Sequence, residues 1–197
     1  ICTVIFDPAV LPKRVNQAAG EDLVQTSACN FYEGVTQKEA EDYYASTKDA
    51  TLGDCQPSWG LNSKLVKRDG KIVEVPYTAS GLYGKAISEI VKWLGKAVDV
   101  AENDAQRKIL STLIDYYKTG DVRLFDAYSI EWLKEQAGDV DFINGFIEVY
   151  GDPLGIKGTW EGIVELSDHE ATRRTQLIAG NAQWFEDNSP VDPRFKK

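Results

Sequence analysis

The spacing of the apolar residues changes near Val140, and this change constrains the fold more than any other feature of the chain. Between Tyr83 and Trp132, apolar side chains recur every three or four residues, as they do along one side of a helix. From Val140 onward they alternate with polar ones, as in a strand that is buried on one face. A chain with both periods is predicted to adopt an α+β fold in which helices pack with β-hairpins.

Four helices are expected before the change of period. Thr36 and Glu39 have the spacing of a capping box, which predicts a first helix that reaches about Lys48. The residues before Thr36 are predicted to be loops with one or two short extended pieces. The apolar stripes of the other three helices lie within 83–101, 109–117 and 125–132.

Two β-hairpins are predicted from alternation and turn residues. Asp69-Gly70, between the alternating segments of 61–75, supplies the positive φ angles of a tight turn. In the second hairpin, a strand over 142–150 and a return strand over 157–166 flank a turn at 151–155. The return strand is expected to place Lys157 on the side opposite Trp160.

A last helix is expected to follow the hairpins, opened by a capping box at Ser167–Glu170 and continuing without interruption to the residue before Asn188. His169 then lies in the first helical turn and is expected to be solvated. With 197 residues, 43% of them apolar, and no shift in composition, the chain is predicted to form a single α+β domain over 1–197. Because it contains no methionine, we expect it to be a fragment of a longer protein.

Charge and apolar run length exclude two classes of partner. The formal net charge of −9 would repel phosphate groups, so no nucleic acid is expected to bind. No run of about 20 apolar residues is present, so no membrane-spanning helix is expected.

The chain has few residues of the types that bind metal ions or act as catalytic nucleophiles and bases. Cys2, Cys29 and Cys55 are an odd number of widely spaced cysteines, and we expect small buried thiols. His169 is the single histidine. The chain is therefore predicted to hold no metal ion of its own, and a Ser-His-Asp or Cys-His catalytic arrangement is not expected.

The strand predicted over 142–150 carries the best candidates for chemistry. Alternation places Glu148 and Tyr150 on one side of it, about 6–7 Å apart, where they could meet the ammonium and carbonyl groups of a ligand. An ordinary solvated strand face is the alternative interpretation. Asp152 and Glu161 could instead pair with Glu148, as the two carboxylates of a glycosidase do.

The residue string adds a resemblance. Gly145–Gly155, followed by Gly158–Gly162, resembles a strand-turn-strand motif of the dipeptidyl peptidase III family of zinc metallopeptidases. The similarity continues at Asn181–Asp192 and, towards the N-terminus, from Ile5–Pro8 to Tyr32–Gly34. It is closest to the bacterial, Bacteroides-like branch of the family.

The resemblance implies a role for two residues. Family members have two lobes separated by a cleft, and the matched string resembles part of the lobe that contains a β-barrel. By this resemblance, Glu148 binds the free N-terminal ammonium of a short peptide, and Tyr150 acts as a catalytic residue that donates a hydrogen bond to the scissile carbonyl. Both are substrate-binding residues in this interpretation.

The chain departs from the family in its metal site. The family binds zinc through a His-Glu-x-x-Gly-His helix and a later glutamate, and this motif is not in the sequence. The resemblance therefore implies a substrate-recognition fragment that is inactive alone, whose partners are short peptides and the remaining catalytic lobe of the same chain, with zinc as the parent enzyme's cofactor. The resemblance implies a cytoplasmic protein, with an exported form as the alternative. The alternative function is a non-catalytic module that binds a peptide or protein by β-strand addition.

Overall fold

The computed structural model of the protein describes residues 1–7 and 9–196. Pro8, in the predicted N-terminal loop, and Lys197, at the end of the chain, lie outside the described residues. The helices are α1 (Cys2–Phe6), α2 (Gln37–Ser46), α3 (Gly84–Asp99), α4 (Asp104–Thr119), α5 (Val122–Lys134), α6 (His169–Ala179) and α7 (Ala182–Asn188). The strands are β1 (Tyr32–Glu33), β2 (Ser63–Arg68), β3 (Lys71–Pro76), β4 (Val140–Glu148) and β5 (Thr159–Leu166). The predicted α+β class is confirmed.

Contacts along the chain group it into two compact units. The larger comprises Ile1–Gly138 and Ile143–Ile163, and the smaller comprises Asp139–Phe142 and Val164–Lys197. The single domain expected over 1–197 stays a prediction. In the part of the chain that the structure describes, no helix is both long and apolar enough to cross a membrane.

The strands form two small sheets. β2 lies between β1, which is parallel to it, and β3, which is antiparallel, while β4 and β5 form a separate two-stranded sheet. The tight turn predicted between β2 and β3 is confirmed, since Asp69 and Gly70 both have positive φ angles, 50° and 77°. Neither sheet closes into a barrel within residues 1–7 and 9–196.

The capping box at the start of α2 is confirmed. The Thr36 hydroxyl accepts a hydrogen bond from the Glu39 amide, and the Glu39 carboxylate accepts one from the Thr36 amide. The helix ends at Ser46, two residues before the predicted end. Its buried residues Ala40 and Tyr44 pack in an apolar cluster with Leu65 of β2, so that α2 covers the three-stranded sheet.

The three predicted central helices are confirmed, and α4 packs against both α3 and α5. Aromatic rings of α4 and α5 pack against one another. The ring of Tyr116 lies 5.2 Å from that of Tyr117 and 4.9 Å from that of Phe125, measured between centroids. Burial raises the pKa values of Tyr116 and Tyr117 well above the ordinary value for a phenol, because their ionised forms would lose hydration.

The second hairpin is confirmed, but β4 ends at Glu148 rather than Tyr150. Close packing follows from the absence of a side chain at Gly158. A Cβ atom placed there would lie 2.9 Å from the carbonyl carbon of Phe146 and 3.0 Å from the amide nitrogen of Ile147. Glycine therefore lets the start of the return segment press directly on the backbone of β4.

The smaller unit differs from the prediction in two details. The N-cap of α6 is Asp168 rather than Ser167, because the Asp168 carboxylate accepts the hydrogen bond from the Ala171 amide. The expected single helix is interrupted at Gly180, and α7 begins after it. His169 is exposed, as predicted, and its Nε2 atom lies 3.1 Å from Oδ2 of Asp139.

Two expectations near the N-terminus are wrong. Cys2 and Cys55 are exposed, and Cys29 is half-buried, so the cysteines are not small core residues. The helix α1 was expected to be loop. Every residue from Cys2 to Phe6 is exposed, so α1 buries no apolar face, and no apolar stripe in the sequence predicts it.

The packing at Gly158 generates a stability prediction with a matched control. Gly158→Ala is expected to lower the free energy of unfolding by about 1–3 kcal/mol, because the added methyl group must push two backbone segments apart. Gly95→Ala, within α3, is expected to raise it by about 0.5–1 kcal/mol, since nothing lies within 4 Å of the added Cβ atom and alanine favours the helix. Urea unfolding of both variants measures the difference. Equal effects of the two substitutions would contradict the packing described here.

Candidate functional site

The segment between β4 and β5 is held by the side chain of Asp152. Its Oδ1 atom accepts a hydrogen bond from the amide of Leu154 (3.2 Å), and Oδ2 accepts from the amides of Ile156 and Lys157 (both 2.9 Å). The Tyr32 hydroxyl also donates to Oδ2, at 2.9 Å. One buried carboxylate thus fixes the backbone of the whole turn and ties it to β1.

A second buried charge lies at the end of the same turn. The Lys157 side chain is fully buried, and its Nζ atom donates to the Tyr44 hydroxyl (2.5 Å), to the Gly60 carbonyl (3.2 Å) and to the Ser63 hydroxyl (3.1 Å). These three acceptors match the three N–H groups of an ammonium. The Tyr44 and Ser63 hydroxyls donate in turn to Oε1 of Glu74.

Burial shifts the ionisation of this network. Loss of hydration lowers the pKa of Lys157 to about 8, against the opposing attraction of the Glu74 and Asp152 charges. Burial and then the neighbouring carboxylates raise the pKa values of Tyr32 and Tyr44 far above the ordinary range. The phenols therefore remain neutral hydrogen-bond donors.

The predicted site residues lie where this turn leaves β4. Glu148 is the last residue of β4 and is half-buried, whereas Tyr150 lies in the turn and is 74% exposed. The strand alternation that was expected to align them stops at Glu148, so it does not fix the direction of the Tyr150 side chain. Within residues 1–7 and 9–196, neither the Glu148 carboxylate nor the Tyr150 hydroxyl makes a hydrogen bond, and both are available to a ligand.

The glycosidase alternative is wrong for Asp152. This side chain is 3% exposed and both of its oxygens accept hydrogen bonds from its own turn or from Tyr32, so it has no access to a substrate or a catalytic water. The sequence contains a signal for this structural role that the sequence analysis missed. An aspartate whose carboxylate can accept a hydrogen bond from the amide two residues later is typical of an Asx turn.

The expected place of Lys157 on the return strand, on the side opposite Trp160, is also wrong. It precedes β5, which begins at Thr159, so the alternation of the return strand does not apply to it. Its three hydrogen-bond acceptors are 94 to 113 residues away in the sequence, and Glu74 behind them belongs to β3, so no local pattern joins them. Fully buried lysines are rare, and the pattern of residues around Lys157 in the sequence gives no reason to expect one.

The residues of this chain do not fit a metal ion of the kind expected for the family. No group of three or more histidine, cysteine, aspartate or glutamate side chains is placed to hold one in the described ranges, 1–7 and 9–196. Glu148, the one acidic candidate at the site, has no such neighbours.

Comparison with known proteins decides the family. The model of peptidase family M49 matches residues 21–197. The chain belongs to this peptidase family. Dipeptidyl peptidase 3 of Dictyostelium discoideum is 30% identical over 129 residues, or 66% of the chain, and the human protein of the same name is 27% identical over 161 residues, or 81% of it. The predicted dipeptidyl peptidase III resemblance is confirmed, and its narrower Bacteroides-like assignment stays a prediction.

Solved structures show the same fold. Dipeptidyl-peptidase III from Corallococcus sp. strain EGB aligns with 85% of the chain at a TM-score of 0.56 and 25% identity. DPP III from Caldithrix abyssi aligns with 93% of it at a TM-score of 0.57 and 19% identity. The chain spans only 18% and 22% of the Dictyostelium and human proteins, and 30% and 35% of the two solved chains.

The depressed pKa of Lys157 generates a pH prediction. Between about pH 8 and the usual lysine value near 10.4, the unfolded chain binds more protons at this residue than the folded chain, so stability rises with pH. From pH 7 to 9.5, the unfolding free energy of the wild type is expected to rise by about 2 kcal/mol relative to that of Lys157→Met. Urea titrations at both pH values measure this, and the buried tyrosines cancel in the comparison. A difference that does not change with pH would contradict the buried amine.

Proposed function

We propose that this chain is the substrate-recognition part of a zinc-dependent dipeptidyl peptidase, and that it binds the N-terminal end of short peptides. The observation that carries the proposal is the pair of unengaged polar groups, on Glu148 and Tyr150, at the start of a rigidly anchored turn in a member of a peptidase family. The alternative of a β-strand-addition module stays a prediction, and family membership favours the peptidase.

Glu148 is suited to an N-terminal ammonium. An enzyme that releases dipeptides has to locate the cleavage site from the free amine, and a carboxylate supplies a charge-assisted acceptor for it. The Glu148 side chain is half-buried, where a charge pair is screened less by water than on the open surface. Its main-chain carbonyl accepts a hydrogen bond from the Thr159 hydroxyl at 3.1 Å, which ties the end of β4 to the start of β5.

Tyr150 is suited to a carbonyl group. A neutral phenol donates one hydrogen bond, and a donor that is in place before the reaction stabilises the negative charge that develops on a scissile carbonyl oxygen. The Asp152 carboxylate accepts hydrogen bonds from amides that follow the next residue, Pro153, and the Asp152 amide donates to the Val149 carbonyl at 3.0 Å. The backbone on both sides of Tyr150 is therefore fixed.

The rest of the reaction belongs to other parts of the parent enzyme. In this proposal the chain forms part of the β-barrel-containing lobe, and its partners are short peptides and the remaining catalytic lobe of the same chain. Zinc, when bound by that lobe, supplies an activated water. The described residues of this chain provide no ligand set for it, and they act by binding and orienting the peptide.

The two site residues should have different kinetic effects in the parent enzyme. Glu148→Gln keeps the shape of the side chain and removes its charge, so a hydrogen bond to a charged group is lost. We expect kcat/KM to fall by an amount equivalent to about 1.5–3 kcal/mol of transition-state stabilisation. The wild type should cleave N-acetylated peptides less well than free ones, because they lack the ammonium, and this difference should disappear in the variant. Tyr150→Phe is expected to lower kcat about 10²-fold with less effect on KM, as for one lost oxyanion donor.

Matched variants separate these effects from changes in folding. Glu165→Gln and Tyr43→Phe make the same chemical changes on β5 and α2, at residues to which the proposal gives no role, and both should retain kcat/KM. Thermal melting checks that all four variants fold alike. If Glu148→Gln and Tyr150→Phe melt at lower temperature and cleave normally, the two residues are structural and the proposed roles are wrong.

The isolated chain is expected to retain no zinc and to cleave no dipeptidyl arylamide. Its described residues hold no ligand cluster, and open catalytic zinc sites need three protein ligands. Metal analysis after extensive dialysis, followed by an activity assay with added zinc, measures both. One retained equivalent of zinc together with chelator-sensitive hydrolysis would refute this part of the proposal.

A further inference from the structure

An apolar cleft of about 450 Å³ lies beside β4 in the larger unit. Its floor is made by buried side chains from four parts of the chain, namely Phe31, Tyr77, Ile87 and Phe146. The Tyr77 ring lies 5.0 Å from that of Phe146 and 5.2 Å from that of Tyr83, between centroids. A volume near the lower end of the usual range for ligand pockets suits one large side chain rather than an extended peptide.

Two exposed aromatic residues form the rim of the cleft, and one of them is fixed by hydrogen bonds. Trp160 is 44% exposed, yet its Nε1 atom donates to the Tyr117 hydroxyl at 2.8 Å, and that hydroxyl donates to Oδ1 of Asn144 at 2.6 Å. Tyr83 stands at the rim with 52% of its surface exposed. The exposed face of Trp160 is therefore held in one orientation without a ligand, which lowers the entropic cost of binding an apolar group.

The cleft and the candidate site are neighbours along β4. Phe146 lines it, and Glu148 is two residues further along the same strand, so the Glu148 side chain leaves β4 on the same face, about 7 Å along. Thr159 also lines the cleft and bonds to the Glu148 carbonyl. On the other side of Tyr150, the Arg14 guanidinium lies 3.0 Å from the position of a Cβ atom at Gly151.

These positions specify the chemistry of the occupant. An ammonium at Glu148 and an apolar group over Phe146 are separated by the span of two strand residues, which is the reach of a single amino acid from its amine to the end of its side chain. Arg14, which lines the cleft, forms no ion pair with any residue in 1–7 and 9–196, and it is placed to meet carbonyl oxygens of the following residues.

We infer that this cleft binds the side chain of the peptide's first residue, and that it selects substrates whose first residue is aromatic or a large aliphatic one. The inference rests on the proposed function, because Glu148 must hold the ammonium of the same residue. It adds a specificity site formed by Phe31, Tyr77, Tyr83, Phe146 and Trp160, to which neither family membership nor the roles of Glu148 and Tyr150 point.

The test compares two substrates in the parent enzyme, Phe-Ala-arylamide and Ala-Ala-arylamide. The wild type is expected to cleave the Phe substrate with a kcat/KM about tenfold higher or more, the size of effect that one large apolar group has in a pocket. Ala86 lines the cleft on the exposed side of α3, so the Ala86→Trp side chain fills the cleft. The Phe to Ala ratio of kcat/KM should then fall towards one, and Ala86→Leu should give an intermediate ratio.

A matched control and the separate outcomes make the test decisive. Ala105→Trp makes the same change on the exposed side of α4, away from the cleft, and should leave the substrate ratio at its wild-type value. If the wild type shows no Phe preference, or if neither Ala86 variant changes the ratio, the cleft is not the first-residue pocket, while Glu148-dependent cleavage still supports the proposed function. If cleavage does not depend on Glu148, the proposed function fails and the inference fails with it.

Discussion

A single ammonium group buried away from water imposes most of the order around the candidate site. Lys157 has no solvent to satisfy its charge, so every N–H of the ammonium must find a protein acceptor. The acceptors come from α2, from Gly60 three residues before β2, and from β2 itself, and Glu74 of β3 accepts hydrogen bonds from two of them. Elements far apart in sequence thus meet at one point, and the loss of any partner would leave a polar group unpaired in the interior.

The turn between β4 and β5 also contains a second anchor, Asp152, so residues of the string that resembles the family motif have different structural tasks. Both carboxylate oxygens of Asp152 accept hydrogen bonds, from the backbone of its own turn and from Tyr32 of β1. Gly158 allows β4 to approach closely. With the turn fixed at both ends by buried groups, the side chains of Glu148 and Tyr150 remain free to meet a ligand. The string that resembles the family motif therefore contains residues that hold the turn in place as well as the two predicted site residues.

Local patterns predicted the elements whose causes are local. The capping box of α2, the Asp69-Gly70 turn and the stripes of α3 to α5 follow from residues a few positions apart, and all are present. The α6 cap was misplaced by one residue because serine and aspartate are both good caps.

The features that the sequence did not reveal depend on distant contacts. Lys157 is buried by partners from three other parts of the chain, and the end of β4 is set by the Asp152 turn rather than by alternation. At the site itself, the resemblance supplied Glu148 and Tyr150, whereas the aromatic cleft beside them is assembled from segments between Arg14 and Trp160 that share no local pattern.

The tyrosine-rich interior gives the protein a built-in optical signal. Burial is the chief cause of raised pKa values in six of its nine tyrosines, the half-buried Tyr43 and the more deeply buried Tyr32, Tyr44, Tyr77, Tyr116 and Tyr117. Their phenolate forms, which absorb at longer wavelength than the phenols, cannot accumulate while the core excludes water. In alkali, the exposed tyrosines therefore change their ultraviolet spectrum first, and the later change of the buried ones marks the opening of the core without any attached label.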